Sequence, residues 1–168
     1  MTAPEFSRPI DARHLPTAPL ALSASAEERA ALAARFGLVS IDRLEAEVTL
    51  TPDGEAVAAS GRLRAAIVQS CAVSGEDLPV EIDEPIALRF VPSAPVTEEE
   101  VELEADELDE IEFDDHGFDL GEAVAQTLAL AIDPYAVGPD AEKVRKEAGL
   151  LDEGAAGPFA ALAALKKD

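Results

Sequence analysis

The chain reads as an α+β protein, an antiparallel β meander packed with two to four helices, and three observations predict it. Apolar and polar residues alternate from Ile41 to Val91, the period of strands with one wet face. Two turn clusters, Pro52-Asp53-Gly54-Glu55 and Ser74-Gly75-Glu76-Asp77, cut that stretch into three segments. On either side the period changes to that of helices, each opened by a capping signal. Pattern alone leaves open whether the meander closes into a small barrel.

Residues 1–25 are interrupted by Pro4, Pro9, Pro16 and Pro19 and lack helical periodicity, so they form an extended arm. Either Phe6 and Ile10 pin that arm or it is a solvated tail. Ser25 and Glu28 make a capping box, Ala26 to Phe36 are good helix formers, and Gly37 offers a left-handed stop. In the first strand Leu44, Ala46, Val48 and Leu50 alternate with Arg43, Glu45, Glu47 and Thr49. The second carries Leu63, Ala65 and Ile67 on one side and Arg62 and Arg64 on the other. Val80, Ile82, Ile86, Leu88 and Phe90 line the third, where Glu84-Pro85 implies a bulge or an edge, because proline cannot donate to a ladder.

An acidic loop is expected at about 97–107, after which Leu108, Ile111 and Phe113 are placed to return the chain to the sheet. Asp119 and Glu122 form a second capping box, and Leu120, Ala123, Val124, Thr127, Leu128, Ala131 and Ile132 then keep helical spacing until Asp133-Pro134 ends it. A short basic helix from Asp140 to Ala148 stops at Gly149. Pro158, the apolar Phe159, Leu162 and Leu165, and the closing Lys166 and Lys167 describe a last short helix. Residues 26–168 are thus expected to form a single α+β domain behind the arm.

A chain of 168 residues can hide roughly 70% of its extended-chain surface, so a packed core is within reach. The apolar content of 48% overstates that core, because 33 of those residues are alanine. Each brings little beside the ~1.5–3 kcal/mol of a buried Leu, Val or Phe. No Trp and one Tyr argue against an aromatic platform for stacking bases. Cys71 is the only cysteine, which excludes an internal disulfide and suits a reducing compartment. Residues 1–22 have neither a basic start nor an unbroken apolar run, so no signal peptide or membrane span is expected and a cytoplasmic location is.

Charge is the least evenly spread property. From Phe90 to Glu142 there are 17 Asp or Glu residues and no Lys or Arg, so most of the net charge of -22 sits in 53 residues. The remainder is nearly balanced, at 18 acids to 13 bases. Candidate partner-binding residues are Glu98, Glu99, Glu100, Glu102, Glu104, Asp106 and Glu107. Candidate RNA contacts are Arg62, Arg64, Lys143, Arg145 and Lys146, with a solvated face as the simpler reading of the same bases. Cys71 ends an apolar strand with no His near it in sequence and is expected as a small buried residue. His116, in the turn Asp114-Asp115-His116-Gly117, is expected in solvent, and adjacent carboxylates such as Asp114 and Asp115 do not converge for acid–base chemistry by themselves. Gly54, Gly61 and Gly75 are isolated at turns, so no phosphate-cradling loop appears. Neither a catalytic site nor a small-molecule substrate is expected.

Three segments together resemble the YceD family, the large ribosomal RNA subunit accumulation proteins. They are the strand Gly61-Arg62-Leu63-Arg64-Ala65-Ala66-Ile67-Val68-Gln69-Ser70-Cys71, the helix start Phe118-Asp119-Leu120-Gly121-Glu122, and the closing Gly157-Pro158-Phe159-Ala160-Ala161-Leu162-Ala163-Ala164-Leu165-Lys166-Lys167. Order and spacing match over roughly residues 40–168. The resemblance implies a non-enzymatic factor needed for normal levels of 23S ribosomal RNA during large-subunit maturation. It also marks a departure. Where relatives carry the second cysteine of a Cys-x-x-Cys, this chain has Ser74, and no cysteine follows between Pro134 and Leu150. A tetrahedral zinc site needs about four thiolate or imidazole ligands, and one Cys with two His cannot supply them, so no cofactor is expected.

The leading expectation is therefore a ribosome-maturation factor whose acidic region takes a basic partner, a ribosomal protein or a large-subunit assembly intermediate. Direct RNA binding draws affinity from neutralised phosphates, which a dense run of carboxylates repels. The alternatives are an RNA binder using Arg62, Arg64 and the basic C-terminal helices, and a phosphate-mimicking inhibitor of a basic enzyme.

Overall fold

A computed structural model describes residues 3–93, 109–114 and 116–149. The chain divides into two compact units, one of residues 1–68 and 79–132 and the other of 69–78 and 133–168.

The first unit is built on the predicted alternation. Strands β3 (Ser40–Asp53), β4 (Ala56–Ser70) and β5 (Asp77–Pro92) follow one another in a five-stranded open sheet. The order is completed by β2 (Leu20–Ser23) beside β3 and β6 (Asp109–Phe113) beside β5, so β2 and β6 are its edges. The meander does not close into a barrel. Strands β3 and β4 pair antiparallel from Ser40↔Val68 to Asp53↔Ala56, with a bulge between Ile41 and Arg43. Gly54, at φ 64°, supplies the left-handed residue of their two-residue turn. β6 instead runs parallel to β5, from Leu88↔Asp109 to Pro92↔Phe113. Pro85 lies in the part of β5 that β6 does not cover, so the missing N–H of proline removes no bond to β6 there.

One face of the sheet makes the core. Leu44, Val48, Leu63, Ala65, Ile67, Ile86 and Phe90 are buried, while Arg43, Glu45, Glu47, Arg62 and Arg64 stand on the wet face, as the period of two requires. Helices α1 (Ala26–Phe36) and α2 (Leu120–Ala131) contribute Leu32, Ala33, Leu120, Val124 and Leu128 to the same cluster. The Ser25 and Glu28 capping box forms with both reciprocal bonds, and Gly37 caps α1 at φ 66°.

The arm is pinned. Phe6 is 1% exposed, and β1 (Pro9–Asp11) pairs antiparallel with β7 (Gly117–Asp119), the three residues before α2. Phe118 of β7 stacks on Phe90 at 3.8 Å between ring centroids and meets the edge of Phe113 at 5.8 Å. Asp119 caps α2 by accepting from the Glu122 N–H at 3.1 Å, and also accepts from the Arg8 N–H at 2.7 Å and the Ser7 hydroxyl at 2.5 Å. The second capping box is only half made, because the Glu122 carboxylate is held instead by Arg35 at 2.8 and 3.0 Å. Gly121 lets the arm pass: a Cβ there would sit 2.5 Å from the Phe6 carbonyl oxygen and 2.9 Å from the Arg8 nitrogen.

In the second unit, the buried Gln69 amide donates to the Asp133 carbonyl at 2.8 Å and the Ala72 N–H to that of Ala136 at 3.0 Å. α3 (Ala141–Glu147) is the predicted basic helix, with Gly149 at φ 73° beyond it. The acidic loop and the last short helix lie outside the described residues.

Candidate functional site

The acids singled out at 98–107 lie outside the described residues; the described residues on either side are Ser93, which leaves β5, and Asp109, which opens β6. The Ser93 N–H donates to the Phe113 carbonyl at 2.9 Å, so the chain that leaves the sheet at β5 is tied to the strand on which it returns.

The bases singled out for RNA contact are differently placed. Arg62 and Arg64 project from one face of β4, and Asp83 of β5 accepts a hydrogen bond from Arg62 and lies 4.0 Å from Arg64. Asp83 holds the Arg62 guanidinium pKa up, and Arg62 holds the Asp83 carboxyl below its usual range. The same arrangement recurs across the sheet. Arg43 meets Glu81 at 2.9 Å, and Arg89 meets Asp53 at 3.0 Å and Glu110 at 2.8 Å. Every arginine on β3, β4 and β5 therefore has an acidic partner. Exposed pairs of this kind contribute little stability. Their effect is on the field: a face that also carries Glu45 and Glu47 is not cationic. Lys143, Arg145 and Lys146 share the short helix α3 and belong to the other unit.

Cys71 is buried, as expected, yet it is not merely a small apolar residue. Its Sγ accepts backbone N–H groups from Gly138 at 3.3 Å and from Val73 and Ser74 at 3.4 Å. The Ser74 hydroxyl and those N–H groups bring the thiol pKa down to about 6. The turn thus surrounds one sulfur with hydrogen-bond donors and offers no second thiolate or imidazole, so a tetrahedral zinc ion does not fit it. Among the described residues no group of three or more His, Cys, Asp or Glu is placed to hold a metal ion. None of their helices is long and apolar enough to cross a membrane.

One feature of the first unit escaped the sequence reading. An open cleft of about 530 Å³ lies between α2 and the strands β5 and β6. Ala123, Thr127 and Ala131 of α2 and Ile111 of β6 line it, Leu130 stands at its mouth 83% exposed, and Glu84 and Asp109 bring carboxylates to it. Asp109 opens β6 two positions after Glu107. Only the helical spacing of Ala123, Thr127 and Ala131 was visible in the sequence; the opposing wall depends on the parallel docking of β6.

The model of the family described as "Large ribosomal RNA subunit accumulation protein YceD" matches residues 59–166. The chain belongs to the YceD family. The match takes in β4 from Ala59 onward, β5, α2, α3 and the whole acidic run, and begins after α1 and β3. The family's name ties its members to the accumulation of large-subunit ribosomal RNA. No curated protein and no solved structure matches the chain.

Proposed function

We propose that this YceD protein is a non-enzymatic factor for 23S ribosomal RNA accumulation that works by capturing a basic partner, an unassembled ribosomal protein or a large-subunit assembly intermediate, on its acidic region. The observation that carries the reading is the segregation of charge: 17 acids without a base over 53 residues, in a family named for large-subunit RNA. The wet face of the sheet adds support, since its arginines are each paired with Asp or Glu. A field of this sign raises the local concentration of cationic proteins and repels polyanions.

The test is retention of partners from cell extract by the immobilised protein. Wild type is expected to retain basic ribosomal proteins at low salt. A variant with Glu98, Glu99, Glu100, Glu102, Glu104 and Glu107 all changed to Gln is expected to lose them while keeping its thermal midpoint. A variant that retained the full wild-type set would refute acidic capture.

A further inference from the structure

We propose that the cleft between α2 and strands β5 and β6 is a docking groove for a cationic amphipathic helix presented by a partner protein. The proposal rests on the reading that the partner is basic, and it adds where, and by what apolar contact, that partner is held.

Three properties of the cleft point to a helix. The floor is made by Ala123, Thr127 and Ala131, which stand at i, i+4 and i+8 on α2. Short side chains in that row let a second helix approach α2 closely, at the ~8–10 Å between axes that ridge-into-groove packing takes. Leu130 adds an anchor. It is 83% exposed beside this floor, although α2 otherwise directs Leu120, Val124 and Leu128 into the core. The opposite wall sets the apolar Pro85, Ala87, Leu88 and Ile111 among the acids Glu84, Asp109 and Glu110. A volume of about 530 Å³ open to solvent suits a row of side chains from an inserted element.

Charge selects the occupant. Glu84 and Asp109 stand at the cleft, and neither pairs with a base among the described residues. A helix seated on the floor would turn Lys or Arg beside its apolar stripe toward these two carboxylates. A second copy of this chain is the wrong partner, because two molecules of net charge -22 repel each other. Nucleic acid is excluded by the same sign.

The probe is a fluorescent designed peptide of Leu and Lys only, with leucines at helical spacing, read by anisotropy against a scrambled peptide of identical composition. The amphipathic peptide is expected to bind wild type about tenfold or more tightly than the scrambled one. Leu130→Glu, at a solvent-exposed site in a helix, should weaken it at least about fivefold, as should Glu84→Lys with Asp109→Lys. Equal binding of both peptides, or binding unchanged by Leu130→Glu, overturns the groove. The Gln variant of the acidic run separates the two ideas. If it binds the amphipathic peptide as wild type does while Leu130→Glu does not, the groove stands without the run, and acidic-run capture is decided by retention from extract alone. If the reverse holds, the run captures and the groove falls. A protein that dimerises without peptide, and that Leu130→Glu returns to monomer, would assign the groove to a second copy and overturn the proposal.

Discussion

At the scale of single residues, Gly121 and Asp119 hold the junction between the arm and α2. No Cβ fits at Gly121 under the Phe6 carbonyl, so Gly121→Ala should displace the arm and cost about 1–3 kcal/mol, read as a lower urea midpoint. Asp119→Ala removes the cap and two bonds to the arm, and about 1–2 kcal/mol is expected from it. Midpoints equal to wild type would show that the arm contributes nothing to the fold. Cys71 gives a second residue-level test. With its sulfur surrounded by N–H donors and the Ser74 hydroxyl, its thiolate absorbance should titrate near pH 6, and Ser74→Ala should move that value upward. Titration at the ordinary thiol pKa would contradict the geometry of the turn.

At the scale of elements, Arg35 at the end of α1 joins Glu122 in the first turn of α2 and Glu5 of the arm. Arg35 holds the Glu122 carboxyl below the usual glutamate range, and Arg8 does the same for Glu28. Both acids have folded pKa values under their unfolded ones. Their contribution is therefore fully present above about pH 4.5 and is lost as pH falls through the depressed values. Acid unfolding followed by circular dichroism should begin at higher pH in Arg35→Met than in wild type, and coincident curves would remove this linkage. The same pair shows what the sequence could and could not convey. Alternation marked β3, β4 and β5 and assigned Leu44 to Leu50 and Leu63 to Ile67 to the inner face, because the side-chain period of a strand is local information. Glu122 read as half of a capping box, since its competitor Arg35 lies 87 residues away. The pairing of β1 with β7, the parallel β6, and the seat of Asp83 between Arg62 and Arg64 were equally hidden, because each depends on a partner distant in sequence. The acidic run itself was plain in the sequence; the cleft was not.

At the scale of the whole molecule, a net charge of -22 exceeds the magnitude of roughly 2–8 that keeps a small domain soluble, so the excess has another use. Family membership gives that use a setting in large-subunit RNA accumulation. A protein that held RNA through Arg62, Arg64 or α3 would show affinity falling steeply with salt, with a log–log slope of about 0.7 per phosphate neutralised on single strands. Titration of purified protein against 23S fragments is expected to give no detectable binding even at low salt. Complementation of depleted cells tests the central claim most directly, with mature and precursor 23S RNA measured together. Wild type should restore mature 23S RNA and the variant with six glutamates of the run changed to Gln should leave precursor in excess; full restoration by that variant would contradict the account.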